Sequence, residues 1–232
     1  MKKLRSWGML LCLVSAILSG CSGRGEAALK KLPASEPDSG SMFGVDTNVN
    51  MDTIDDYLGR DDVEYIDVRM LFDPADYAAI GGEANLTRTI HGFKVVPYPY
   101  LASLSELPVT GAYEGTSLYE LAWDENGEVV SAAPNYEESK MILEELFPKD
   151  KVIFLMCGGG GYSGMTKSLL IYLGWEESLL YNIGANWTYT GDNALELVVY
   201  PEDANGNNIY ATWRVDYAYI DFSRLNPVGG NR

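Results

Sequence analysis

Apolar and polar positions change period along this chain, and the changes predict its elements. Asp52 to Leu58 reads as a short helix, Val63 to Val68 (VEYIDV) as a strand, and Asp73 to Ala79 as a Pro-primed helix. Phe93 to Val96 predicts a strand closed by Pro97. Residues 117 to 132 suggest a hairpin turning at Asn126-Gly127, a pair that tolerates the positive φ of tight turns. Asn135 to Phe147 has helical spacing, with Met141, Ile142, Leu146 and Phe147 on its apolar side. Val152 to Met156 is a continuous apolar run, the pattern of a parallel strand buried on both faces. A helix from about Ser163 to Leu173 and a strand over Leu179 to Ile183 follow. This β–α alternation predicts an α/β sandwich with a mainly parallel central sheet. Leu195 to Tyr200 and Ile209 to Phe222 predict a C-terminal antiparallel hairpin, joined by the turn-forming residues 201–207. That β-rich extension, residues 191–232, is expected to pack on the main domain of residues 43–190.

The first 42 residues have a different texture. Residues 1–20 have a basic start (Lys2, Lys3, Arg5) and an apolar run from Met9 to Leu18, as a secretory signal does. The run ends in Leu18-Ser19-Gly20-Cys21, which resembles the lipobox of bacterial lipoproteins. The resemblance implies cleavage before Cys21, lipid on its sulfur, and a membrane-anchored protein facing the extracytoplasmic side, in the periplasm or at the cell surface. Each buried methylene of such a chain contributes about 0.8 kcal/mol of membrane affinity. Residues 21–42, rich in Ser, Gly, Pro and charge, read as a flexible tether.

Composition narrows the functions. Hydrophobic residues make up 47% of the chain, enough for a sizeable core, and the formal net charge of -16 argues strongly against a nucleic-acid partner. With one histidine, His91, a histidine-rich metal site and a hydrolase triad are poor expectations. No spacing suggests a metal, and no cofactor is expected. Of three cysteines, Cys12 leaves with the signal and Cys21 takes lipid, so Cys157 is left as the one free thiol of an exported protein.

The chemistry concentrates in residues 152–175. A buried strand delivers Cys157 to the carboxyl edge of the sheet, where parallel folds place their sites. Gly158, Gly159, Gly160 and Gly161 follow, then Tyr162, Ser163 and a helix. Bare amides at a helix start form an anion-binding nest that favours thiolate over thiol and can hold a persulfide. The alternative is a buried, inert core cysteine. Whether the sulfur is open to solvent separates the two. A nucleotide-binding P-loop is discounted, because Lys167 stands three residues past Gly164.

In that segment, and in others in the right order, the chain resembles the rhodanese-like sulfurtransferase family. Cys157 to Ser163 (CGGGGYS) has the family's loop length, with Gly160 and Ser163 in register. Tyr65-Ile66-Asp67-Val68-Arg69 resembles its first-strand signature, and Asp76-Tyr77 the helix that follows. Ile90-His91-Gly92-Phe93 stands where the family has Ile-Pro-Gly-Ala, and Tyr181 to Trp187, with Gly184, resembles its closing strand. The resemblance covers roughly residues 50 to 190 and implies a three-layer sandwich and sulfur transfer. The donor would be a small sulfur compound and the acceptor a thiol or other nucleophile. One departure matters: the family's loop arginine is replaced by Tyr162, and no arginine occurs between Cys157 and Arg214. Phosphatase chemistry, which clamps phosphate with such an arginine, is therefore not expected. Asp67 and Arg69 are expected to brace the fold, Trp187 to pack near the site, and His91 to be a loop residue. Two functions follow. One is a sulfurtransferase carrying a Cys157 persulfide. The other is a catalytically silent module that presents the loop, the 101–133 insertion and the C-terminal hairpin to a partner.

Overall fold

The computed structural model describes residues 30–69, 88–103, 116–196, 199–200, 209–210, 218 and 220–230. Its centre is a four-stranded sheet built from β1 (Val63–Asp67), β3 (Lys94–Val95), β6 (Val152–Cys157) and β7 (Leu180–Ala185). The order is β3-β1-β6-β7 and every pairing is parallel. β6 lies inside, with Val63 to Asp67 opposite Val152 to Met156 on one side and β7 on the other. Its apolar run follows from this position: both edges are hydrogen-bonded and both faces are covered.

Strand alternation divides the core in two. Ile153, Leu155 and Cys157 face the helices α2 (Ser139–Leu146) and α3 (Gly161–Tyr172), packing with Leu143, Leu146, Leu169 and Leu170. Phe154 and Met156 face the other way, against Val49, Met51, Ile54 and Tyr57. The short helix expected over 52–58 is a single 3-10 turn, Ile54–Tyr57.

The hairpin is present as β4 (Tyr119–Trp123) and β5 (Val129–Pro134). Gly127 takes φ +80°, and the Asp124 carboxylate accepts the amides of Asn126 and Glu128 across the turn. Beside α3, Tyr172 donates to the Val130 carbonyl. The helix expected over 73–79 lies outside the described residues, as do residues 104–115 of the insertion.

The second helix begins at Ser139, not Asn135, because the chain before it is held from elsewhere. Tyr136 bridges to Pro227, and Glu138 accepts the backbone and side-chain amides of Asn226. Met141, placed by its spacing on the apolar side of that helix, is 62% exposed. Starting one turn later leaves the buried stripe to Ser139, Leu143 and Leu146.

Shorter pairings complete the frame. β2 (Arg88–Ile90) pairs antiparallel with β8 (Ala194–Glu196), and β9 (Val199–Tyr200) with β10 (Ile209–Tyr210). The Ala218 amide donates to Val95 on the sheet edge. The segment read as a tether makes specific contacts over its described part. Pro33 accepts from the Tyr181 hydroxyl, and Ser35 donates to Leu180. Asp46, 2% exposed, accepts Ser35 Oγ and the amides of Glu36, Asn48 and Val49. Residues 33–49 are therefore folded onto β7. Polar composition did not disclose this, because the buried carboxylate organises them through backbone amides.

At the carboxyl end of β1, Asp67 and Arg69 form a buried ion pair, 0% and 2% exposed, with a shortest contact of 2.5 Å. Arg69 Nε reaches both carboxylate oxygens, and its other nitrogens donate to Arg88 O and Asn186 Oδ1. Thr89 Oγ1 donates to the same carboxylate. Removing one partner strands the other charge inside the protein. Arg69→Ala in the full chain is expected to cost about 3–5 kcal/mol, read as a lower urea midpoint with an unchanged slope.

Candidate functional site

Cys157 ends β6, and three residues later the chain enters α3 through Gly160, whose φ of +94° is open to glycine and strained for other residues. This turn brings the Gly160 amide back onto the sulfur, 3.0 Å from Cys157 Sγ. Ser163 Oγ lies 3.6 Å from the same sulfur, 2.7 Å from Asn182 Oδ1 and 2.9 Å from Gly160 O. A hydroxyl has one proton to give. The two oxygens each have another donor: Gly160 O accepts Gly164 N and Asn182 Nδ2, and Asn182 Oδ1 accepts Gly184 N. Ser163 can therefore turn its proton to the sulfur without leaving a buried acceptor bare.

Asn182 is the residue that sequence reasoning missed. It is 1% exposed and occupies the face of β7 that looks toward α3. Its amide nitrogen donates to Phe43 O and Gly160 O, and its carbonyl accepts from Ser163 and Gly184. A register shift puts Met156 opposite Gly184 right after Leu155 pairs with Asn182. Gly184, at φ +93°, has no room for a side chain: a Cβ there would lie 2.9 Å from Val45. The available signal was an asparagine in the middle of an otherwise apolar strand.

The glycines also allow a close approach, which the amide ring expected of them does not by itself require. A Cβ on Gly158 would meet the Trp187 indole at 2.8 Å, and one on Gly159 would meet it at 3.1 Å. Phe43 covers the other side, with its carbonyl 3.2 Å from a Cβ built on Gly164 and its ring 3.6 Å from one on Gly161. The loop is thus pressed between an indole and a phenyl ring, and Cys157 is 2% exposed. One loop amide, that of Gly160, is seen on the sulfur. The enclosure meets one feature of the inert-cysteine alternative, while the donors on the sulfur meet a feature of the reactive one.

The remaining expected residues fall into place around this core. Tyr162, in the first turn of α3, stacks on Tyr98 with centroids 5.2 Å apart and planes 9° from parallel. Tyr98 opens α1 (Tyr98–Leu101) and is fully buried, and its hydroxyl has no partner among the described residues. Burial, reinforced by Tyr162, pushes its ionisation far above the ordinary tyrosine range. Lys167 is 8% exposed with its Nζ unpartnered among the described residues. Asp67 and Arg69 sit on the opposite face of the sheet edge, as a brace that reaches Asn186 beside Trp187. His91 is exposed in the turn after β2. Among the described residues, no three metal-ligating side chains come together. The chain matches no family model, no curated protein and no solved structure.

Two predictions follow from the geometry. Gly158→Ala is expected to cost about 1–3 kcal/mol through overpacking, most of it recovered in the double variant with Trp187→Ala. Gly161→Ala, whose new methyl meets only ordinary contact, should stay within about 0.5 kcal/mol. Chemical denaturation of the native chain, the three single variants Gly158→Ala, Trp187→Ala and Gly161→Ala, and the double variant checks both, with the recovery read against Trp187→Ala. Burial also holds Lys167 below the 10.5 of a free lysine, against the pull of Glu177 and Asp46. The folded state then binds fewer protons at this site than the unfolded chain. Its cost is absent above about pH 10.5 and grows as pH falls toward the folded pKa, below which it is constant. Lys167→Met should therefore raise stability at neutral pH and flatten the rise in stability between neutral pH and 10.5.

Proposed function

We propose that this chain is an exported, lipid-anchored rhodanese-like protein that moves sulfane sulfur through a persulfide on Cys157. The observation that carries the proposal is Cys157 Sγ at the carboxyl end of the central parallel strand, accepting the Gly160 amide at 3.0 Å. Support comes from the placement of the matching segments. The Ile66-Asp67-Val68 strand runs on one side of the cysteine strand and the Asn182 to Ala185 strand on the other. Trp187 closes directly over the loop.

In the reaction, Cys157 attacks the sulfane sulfur of a donor. A bond forms between Sγ and that sulfur, the donor's own bond to it breaks, and the leaving group departs with the electron pair. The Gly160 amide and the Ser163 hydroxyl steady the sulfur. A nucleophilic acceptor, such as a thiol, then attacks the outer sulfur and restores Cys157. Incubation with polysulfide should add the mass of sulfur to the Cys157 peptide, and Cys157→Ser should abolish the gain. Failure of the native chain to gain it rejects the reading.

A second reading is favoured by one observation, the 2% exposure of Cys157. In it the fold is a silent binding module and the loop is a packed relic. Tyr162→Arg separates the two. Turnover of thiosulfate by that variant shows a competent scaffold lacking only a cation, and its absence together with an unloadable Cys157 supports the silent module. No helix among the described residues is long and apolar enough to cross a membrane, and Cys21 lies outside them. Membrane attachment through that cysteine predicts that Cys21→Ala moves the protein from the membrane fraction to the soluble one.

A further inference from the structure

We propose that Met42, Phe43 and Trp187 form one apolar face around the cysteine loop, and that this face rests on the surface of the bilayer that holds the chain. The inference rests on the lipid-anchored reading above and names the side of the domain that meets the membrane.

The first ground is how these side chains are presented. Met42 is 87% exposed, Phe43 44% and Trp187 45%, although all three are large and apolar. Single exposed apolar side chains are ordinary, but neighbours on one face mark an interaction surface. Phe43 and Trp187 flank the same short loop. A Cβ on Gly161 would lie 3.6 Å from the Phe43 ring, and one on Gly159 would lie 3.1 Å from the indole. Met42 is carried on a tied turn: Ser41 Oγ accepts the amides of Phe43 and Val45, and Asn182 Nδ2 donates to Phe43 O. The fold itself therefore meets much of the ordering cost that contact with a surface would otherwise impose.

The second ground is reach. Pro33 and Ser35 contact Tyr181 and Leu180 at the amino-terminal end of β7, and Phe43 and Val45 lie beside Asn182 and Gly184 further along it. The segment thus runs along β7 and brings Met42 and Phe43 toward its carboxyl end. A six-residue strand such as β7 is about 20 Å long. Lys30 follows Cys21 by nine residues, which span at most about 30 Å. An acyl chain on Cys21 can therefore enter the same bilayer that the apolar face touches.

The third ground decides the occupant. The net charge of -16 gives no attraction to anionic headgroups, so apolar burial has to supply the contact. Three side chains are too few to hold a protein on a membrane by themselves. Tethering removes that requirement, because an anchored domain meets the bilayer at a high effective concentration and needs little affinity for it. Tryptophan is also at home at the headgroup boundary.

The full chain is purified with its lipid from the membrane fraction and reconstituted into phosphatidylcholine vesicles, with and without bromine on the upper acyl carbons. Tryptophan emission is compared between the native chain and Trp187→Phe, and the difference isolates Trp187. That component should be quenched by the brominated lipid. Met42→Asp, at a position that makes little packing, should relieve the quenching of the native tryptophan. Circular dichroism verifies that both variants are folded. Vesicle-bound chain whose Trp187 emission ignores the bromine overturns the docking and leaves the anchor intact, with the face open to a protein partner instead. Quenching that Met42→Asp leaves unchanged overturns the shared face in the same way. A native chain that does not partition into the vesicles overturns both readings.

Discussion

The buried Asp67–Arg69 pair is the constraint on which the rest of the sheet edge depends. Two opposite charges removed from water are stable together only while every remaining lone pair and proton is matched. Here the matching partners are Thr89, the Arg88 carbonyl and Asn186. Satisfying one ion pair therefore fixes the end of β1, the strand β2 and the turn after β7 relative to one another. Asn186 precedes Trp187, so the same requirement sets where the indole lies. The indole in turn leaves no space for a side chain at Gly158 and crowds Gly159. A charge pair on one face of the sheet thus dictates the composition of the cysteine loop on the other.

A second network closes the site from the amino-terminal side. Asn182 holds Phe43, Gly160, Ser163 and Gly184 through four hydrogen bonds, so its amide has no capacity left over. Asp46 does the same for the segment that carries Phe43 and Val45. Neither residue touches the sulfur. Together they decide what does, because they hold Gly160 O and Asn182 Oδ1 in positions where Ser163 has a free choice among three acceptors.

The sheet was largely legible in the sequence, and the reasons are particular. VIFLM reads as a central strand because only a strand buried on both faces is apolar without alternation, and it pairs on both edges. Gly127 marks the turn of the β4–β5 hairpin, because its φ of +80° is open to glycine and strained for other residues. Helix starts were less legible. Asn135 to Glu138 has helical spacing, but Pro227 and Asn226, almost 90 residues away, hold it in another shape. Long-range pairing leaves no local signature. The cysteine loop does join the end of β6 to α3, as the residue pattern has it, but the glycines carry more than one meaning. Four glycines signal close approach, and the sequence does not say whether a ligand or an indole approaches.

Enclosure of Cys157 bears on the chemistry as well as on access. In water a sulfur nucleophile and its leaving group are both solvated, and the solvent must reorganise as charge passes between them. Around the enclosed Cys157 sulfur, the dipoles within reach among the described residues are the Gly160 amide, held by its turn, and the Ser163 hydroxyl, which has only to rotate. A dipole already aimed at the sulfur, such as the Gly160 amide, responds with little reorganisation when a single negative charge moves a short distance. Such dipoles are a poor substitute for a cation when two charges must be accommodated. A sulfur held by one amide and one hydroxyl, with the Arg69 guanidinium taken up by Asp67 on the opposite face, is therefore poorly equipped to hold a dianion.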